Sequence, residues 1–239
     1  MPHFLIEKNS IENNKIRIKD REILCHLVQS LRIKENEIVK FISDEIVHFT
    51  KITSISKNEL TGEIINSIKS TRKLNFDLCC LISILKQDAM HLAIENAVQV
   101  GTKEIYTTYS DNSAVKKESI MKKSEKWQKI ALESFKQCER ADIPKVFDTL
   151  SFEEVFKKFK KENILIFAEN FANRTIQEGV KNIDKKEKIL AVFGPEGGFS
   201  KEEFEYFKKE NFKLITLGNL IYKAPNAITA GLFGIVQYV

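Results

Sequence analysis

The stretch Ile189-Leu-Ala-Val-Phe-Gly-Pro-Glu-Gly-Gly-Phe-Ser200 limits the possible folds more than any other part of this chain. It is an apolar run of strand length that breaks into a glycine-rich turn and then at once into a helix. The whole chain holds nine glycines and four prolines, yet Gly194, Pro195, Gly197 and Gly198 fall within five residues. Residues 189–193 have the length and branching of a strand buried in a parallel sheet, and Ser200-Lys-Glu-Glu203 is a capping box that opens a helix. The turn therefore stands at the carboxyl end of a strand, where open α/β sheets bind ligands. Glycines there let a ligand approach bare backbone N–H groups. An ordinary tight strand-to-helix connection has the same spacing, so the residues alone leave both readings open. The phosphate-binding patterns G-x-x-x-x-G-K-[ST] and G-x-G-x-x-G are absent.

The remainder divides by rhythm. Up to residue 68, short β-branched runs at 15–19, 37–42, 45–49 and 60–68 are separated by polar turns. One helix is inserted: Asp20 caps it, and Ile23, Leu24, Leu27, Val28 and Leu31 recur on one face. Closely spaced short strands of this kind predict a small barrel. The basic, polar run 69–73 reads as a linker. Beyond it, strands at 78–85, 104–108, 146–147, 164–168, 189–193 and 214–217 alternate with helices at 88–100, 118–139, 152–161, 201–210 and 227–238. That alternation is the mark of a parallel sheet.

Charge permits a nucleic-acid partner without requiring one: 38 Lys and Arg stand against 33 Asp and Glu, a formal net charge of +5. Distribution says more. Lys116, Lys117, Lys122, Lys123, Lys126 and Lys129 share one loop and helix, a density that can neutralise several phosphates or form a solvated helical face. There is neither a long apolar run nor a signal-peptide pattern at the N-terminus, so a cytoplasmic protein with no membrane association is expected. The four cysteines lack C-x-x-C spacing and the four histidines lack H-x-x-x-H spacing, so no metal is expected.

Gly194-Pro-Glu-Gly-Gly198 after a strand, followed by Leu217-Gly218, resembles the RsmE family. These are SPOUT-class enzymes that methylate N3 of a uridine in 16S rRNA from S-adenosyl-L-methionine. Trp127-Gln-Lys-Ile-Ala131, Gln137-Cys138, Arg140 and Pro144 stand in the order and spacing of its R/Q-W-x-K-I-A…E-Q-x-x-R…P pattern. Lys86 matches the lysine after its first catalytic-domain strand. Asp111-Asn-Ser113 lies where the family commonly has Glu-Arg-Ser, so the arginine is missing here.

The resemblance implies an α/β SPOUT-like domain with a C-terminal trefoil knot over residues 74–239, and a small N-terminal PUA-like β-barrel over residues 1–70. It implies a homodimer acting on 16S rRNA of the small ribosomal subunit. S-adenosyl-L-methionine is expected at Gly194, Pro195, Glu196, Gly197, Gly198, Leu217, Gly218, Leu220 and Ile221, with Glu196 either orienting the ribose or capping the following helix. RNA is expected at Arg32, Lys86, Lys122, Lys123, Lys126 and Arg140, although a terminal helical arginine such as Arg32 also serves the helix dipole.

The C-terminal segment departs from the family. Where the family reads L-G-x-R-I-L-R-x-E-T-A, this chain has Leu217-Gly-Asn-Leu-Ile-Tyr-Lys-Ala-Pro-Asn-Ala227. Leu220, Lys223, Pro225 and Asn226 replace Arg, Arg, Glu and Thr. Methylation of uridine N3 needs an aligned nucleophile and stabilisation of the anion left when the imide loses its proton. Lys223 and Asn226 are the catalytic candidates, and a phosphate contact is the other reading of Lys223. Two further functions stand beside the first: a SPOUT enzyme of different base specificity, and an RNA-binding protein without catalysis.

Overall fold

The computed structural model describes residues 3–115, 123–168, 171–172 and 174–239. The chain forms two units, residues 1–73 with 136–142, and residues 74–135 with 143–239. Residues 118–122 of the helix expected from the sequence lie outside the described residues.

In the first unit, β1 (His3–Leu5), β2 (Ile11–Glu12), β3 (Lys15–Ile18), β4 (Ile38–Ser43), β5 (Ile46–Ile55) and β6 (Leu60–Lys69) form one sheet in the order β1-β4-β5-β6-β3-β2. Alternation works as the sequence predicts: Ile16 and Ile18 of β3 are buried while Lys15 and Arg17 face solvent. They join Phe4, Phe41, Ile52 and Leu60 in the core of this unit. β5 and β6 outrun the apolar stretches seen in sequence, and two register shifts bend their long ladder.

Asp20 caps α1 (Arg21–Cys25) by accepting the N–H groups of Glu22 and Ile23 at 2.9 and 3.0 Å. The helix does not keep the expected face. After five residues it widens into a π turn, His26–Ser30. The wider turn carries Val28 and Leu31 out of the stripe, leaving Leu24 and Leu27 buried while those two are exposed.

The second unit is built on six parallel strands, β7 (Leu78–Ser83), β8 (Glu104–Thr108), β9 (Lys145–Thr149), β10 (Ile164–Phe167), β11 (Ile189–Phe193) and β12 (Lys213–Ile215), in the order β12-β10-β11-β7-β8-β9. From β7 the chain winds towards β9; from β11 it winds the other way, towards β12. The order thus reverses between the neighbours β7 and β11, which opens a crevice at their carboxyl ends. Both strands are buried along their whole length, as uninterrupted apolar runs require.

Helices α2 (Gln87–Val100), α3 (Ser124–Cys138), α4 (Phe152–Phe156), α5 (Ile176–Val180), α6 (Lys201–Lys209) and α7 (Ala224–Tyr238) connect and cover the strands. α2 buries Met90, Ala93, Ile94, Ala97 and Val98, the stripe read from its sequence, and packs against α7. α4 is shorter than the expected 152–161. Phe159 leaves the helical path to set its ring edge-on to Tyr106, and a 3-10 turn at Lys161–Asn163 then feeds β10. β12 stops at Ile215 because the Thr216 hydroxyl engages Gly218 N–H in a turn. Among the described residues no helix is long and apolar enough to cross a membrane.

Candidate functional site

A cleft of about 860 Å³ lies at the carboxyl ends of β10 and β11. Its floor is the stacked pair Phe167 and Phe193, with ring centroids 4.7 Å apart and planes 11° from parallel. α7 reaches these rings because residue 231 is glycine: a Cβ there would meet both at 2.8–2.9 Å.

The glycine-rich turn forms one wall. Gly198 donates its N–H to Pro195 O at 2.9 Å and takes a φ of +70°, the left-handed backbone that glycine adopts without cost. Gly197 is confined by protein rather than by open space, since its Cβ would sit 3.1 Å from Cβ and O of Asn112. The Asn112 amide donates to the carbonyls of Gly198 and Gly197 at 3.2 and 3.4 Å.

Glu196 lines the cleft but does not cap the helix that follows the turn. It accepts the backbone N–H of Lys86 at 3.0 Å, at the start of α2, whose own N-cap side chain makes no capping bond. Its negative charge thus sits where the α2 dipole favours it. The helix that follows the turn is capped by its own box, Ser200 with Glu203.

The opposite wall is residues 217–227. Leu217, Ile221, Lys223 and Asn226 line the cleft, together with all five residues of the turn from Gly194 to Gly198. Gly218 and Leu220 do not line it; Gly218, at φ +106°, shapes the chain reversal, and Leu220 is 72 % exposed. Lys223 stands at the N-cap of α7, its carbonyl accepting Asn226 N–H and Ala227 N–H, both at 2.9 Å. Pro225 occupies the first turn and is buried. Its carbonyl accepts from Asn96 Nδ2 at 3.3 Å and Thr229 Oγ1 at 3.0 Å.

Asp88, Ala89, Leu92, Phe171 and Tyr222 also line the cleft and were not read from sequence. Phe171 follows the carboxyl end of β10, the position at which strand-end residues enter such a crevice. That was its one sequence signal.

The residues expected to meet RNA separate into three groups. Lys86 is exposed at the N-cap of α2, and Lys126 on α3 is exposed beside half-buried Lys123. Lys122, like Lys116 and Lys117, lies outside the described residues. Arg140 must be corrected: it is 5 % exposed and forks onto Asp142, with Nε–Oδ1 at 3.2 Å and Nη2–Oδ2 at 2.6 Å, so its charge is matched inside the protein. Arg32 is exposed and has φ +52°, a left-handed conformation that closes the π turn. Glycine or asparagine usually fills that place.

No cluster of three or more metal-ligating side chains occurs among the described residues.

Residues 72–235 match the model of the RNA methyltransferase domain family, and residues 18–65 match that of the RNA methyltransferase PUA domain. The ribosomal RNA small subunit methyltransferase E of Mesomycoplasma hyopneumoniae is 28 % identical over 202 residues, spanning 84 % of this chain and 85 % of the relative. The ribosomal RNA small subunit methyltransferase E 2 of Borreliella burgdorferi is 28 % identical over 232 residues, 95 % of this chain and 93 % of the relative. In fold, the chain is similar to the crystal structure of ribosomal RNA small subunit methyltransferase E from Neisseria gonorrhoeae bound to S-adenosyl methionine. The TM-score is 0.83 at 23 % identity, over 97 % of this chain and 95 % of that one.

Proposed function

This chain belongs to the RsmE family of RNA methyltransferases, and on that premise we propose that it methylates N3 of a specific uridine in 16S rRNA of the small ribosomal subunit. S-adenosyl-L-methionine is the donor. One observation carries the proposal: the glycine-rich turn, Leu217 and the start of α7, distant in sequence, line a single cleft at the point where the strand order reverses.

The cleft fits the donor in two respects. Its floor of stacked rings is flat and apolar, and at Gly198 an added Cβ would meet nothing within 4 Å, leaving room for a close approach to the backbone. Gly194, Pro195, Gly197, Gly198, Leu217 and Ile221 would hold it. When bound, it supplies a methyl group on a cationic sulfur, so no covalent catalyst is needed.

The chain's own residues must then seat one uracil and stabilise charge as its imide proton leaves. Lys223 is the cation on the cleft wall and would face the uracil oxygens that gain charge. Asn226, within the first turn of α7, would hydrogen-bond the base and fix its orientation. Glu196 acts at one remove, tying the turn to the start of α2.

Residues 1–70 serve as the RNA-binding PUA-like domain and residues 74–239 as the knotted catalytic domain, with Arg32, Lys86, Lys123 and Lys126 meeting phosphates. Arg32 holds a backbone conformation that costs a bulky residue free energy, which favours a side-chain role for it. A cytoplasmic homodimer is part of the same reading. Leu92 and Ile221 at the cleft and Phe233 and Tyr238 on α7 expose apolar surface that a second copy would cover.

The test is mass spectrometry of 16S rRNA nucleosides from a strain lacking this protein. N3-methyluridine should disappear and return with the gene; an unchanged nucleoside profile would refute the assignment.

A further inference from the structure

The loop after β8 holds the glycine-rich turn from behind, and it does so with the residue that stands where the family's arginine is missing. We propose that Asn112 is a positioning residue for the donor site: it fixes the backbone of Gly197 and Gly198 so that the turn is already in its binding conformation before any ligand arrives. This rests on the reading of the cleft as the S-adenosyl-L-methionine site.

A Gly-Gly pair is the most pliable dipeptide a chain can place in a binding turn. Left alone it would lose conformational freedom on binding, and affinity would fall by that amount. Here one side-chain amide donates to both successive carbonyls, Gly198 O at 3.2 Å and Gly197 O at 3.4 Å. Asn112 also packs on Gly197 closely enough that a Cβ at that position would be crowded. Each peptide plane of the pair is thereby oriented, and the Gly198 N–H is spent on Pro195 O.

Asn112 can do this because its own loop is immobilised. Glu203, at the start of α6, accepts from Ser110 Oγ at 2.9 Å and Asp111 N–H at 3.1 Å, while its Oε2 also takes Ser200 N–H at 2.8 Å. Ser200 Oγ donates to Asp111 Oδ2 at 2.7 Å. Ser113 N–H donates back to Ser110 O at 2.9 Å. The loop is therefore braced against α6 on one side and against the turn on the other. Asn112 makes no part of the cleft wall, so it acts through the turn rather than on a substrate.

Asn112→Asp keeps the shape of the side chain but turns a charged acceptor towards two carbonyl oxygens. In calorimetric titrations of the full chain at pH 8, it should weaken S-adenosyl-L-methionine binding about ten-fold, the scale of losing one or two such bonds. The single-turnover rate at saturating donor should stay within about two-fold of wild type, a split expected of lost ground-state binding. Lowering the pH protonates the new carboxyl and restores a donor, so the ratio of variant to wild-type Kd should shrink towards one. Asp111 on the same loop, Glu203 on α6 and Glu196 in the turn are the charged groups nearby, and both proteins carry them. Asn112→Ala, which adds no charge, should show the pH 8 weakening without the recovery, and it serves if the Asp variant does not fold. Unchanged affinity in both variants at pH 8, or an Asp-variant ratio that ignores pH, would overturn the proposal. A wild type that takes up no donor would overturn the reading beneath it, and the proposal with it.

Discussion

Replacing Gly231 with alanine tests whether the floor of the cleft is set by contact with α7. The added methyl would lie 2.8 Å from Phe193 Cε1 and 2.9 and 3.0 Å from Cε1 and Cζ of Phe167. Both rings sit at the ends of buried parallel strands and stack on each other, so neither has space to swing away. Alanine gains about 1 kcal/mol of helix propensity over glycine, while overpacking a dense core costs about 1–3 kcal/mol. With three aromatic atoms in the way, the upper part of that range applies and the net loss is about 1–2 kcal/mol. At about 2–4 °C per kcal/mol for a chain of this size, the calorimetric transition should fall by about 2–8 °C. Gly234→Ala is the control. Its methyl would press on Ile176 Cδ1, the free end of a flexible side chain, and the next atoms of that residue lie at 3.6 Å. Rotation relieves that contact, so the propensity gain survives and stability should hold or rise slightly. Because the displaced rings floor the cleft, donor affinity should drop in Gly231→Ala and not in Gly234→Ala. Equal transition temperatures in the two variants would refute the reasoning.

Lys223→Met keeps the side-chain length and removes the charge; the single-turnover rate at saturating RNA should fall about a hundred-fold, the scale of losing one preorganised donor to a developing anion. A normal rate with weakened RNA binding would make it a phosphate contact instead. Changing Lys123 and Lys126 together to glutamine should reduce the slope of log affinity against log salt by about 1–2, near 0.7–0.9 per lost phosphate contact, and an unaltered slope would return them to plain surface. Burial alone would raise the Glu104 carboxyl, but hydrogen bonds from Lys188 at 2.7 and 2.9 Å and from Tyr106 at 2.8 Å outweigh it and hold the group below its ordinary range. A depressed folded-state value gives stability that is complete above the unfolded value, about 4.3, and is lost as pH falls through the folded one. Glu104→Gln should therefore cost about 1–2 kcal/mol in urea unfolding at pH 7 and progressively less below pH 4; a constant difference would contradict the assignment.

What the sequence disclosed follows from how local each cause is. β7, β10 and β11 are buried on both faces, so they read as unbroken apolar runs and could be placed from sequence. α5 has five residues, too few for a helical period to show, although Thr175-Ile-Gln-Glu178 carried its capping box in plain sight. The stripe from Ile23 to Leu31 failed because a π turn changes the period partway through it. Arg140 was expected to meet RNA by resemblance to the family pattern, while the cause of its burial, Asp142, stood two residues away. At the site itself, clustered glycines announced a special backbone but not its reason. Gly197 answers to Asn112 and Gly231 to two phenylalanines, partners that only the topology brings near. The same holds for the C-terminal departures. Pro225, where the family carries glutamate, is buried at the start of α7, and its carbonyl is held by Asn96 and Thr229. That position now anchors the helix instead of presenting a carboxylate to the cleft. A carboxylate there would sit close in sequence to the one cation of the segment, Lys223, and would partly neutralise it. Losing both arginines and the glutamate while gaining one lysine leaves a net charge of +1 where the family's two arginines and one glutamate also sum to +1. The formal charge of the segment is therefore the same in sum, carried here by a single ammonium at the N-cap of α7.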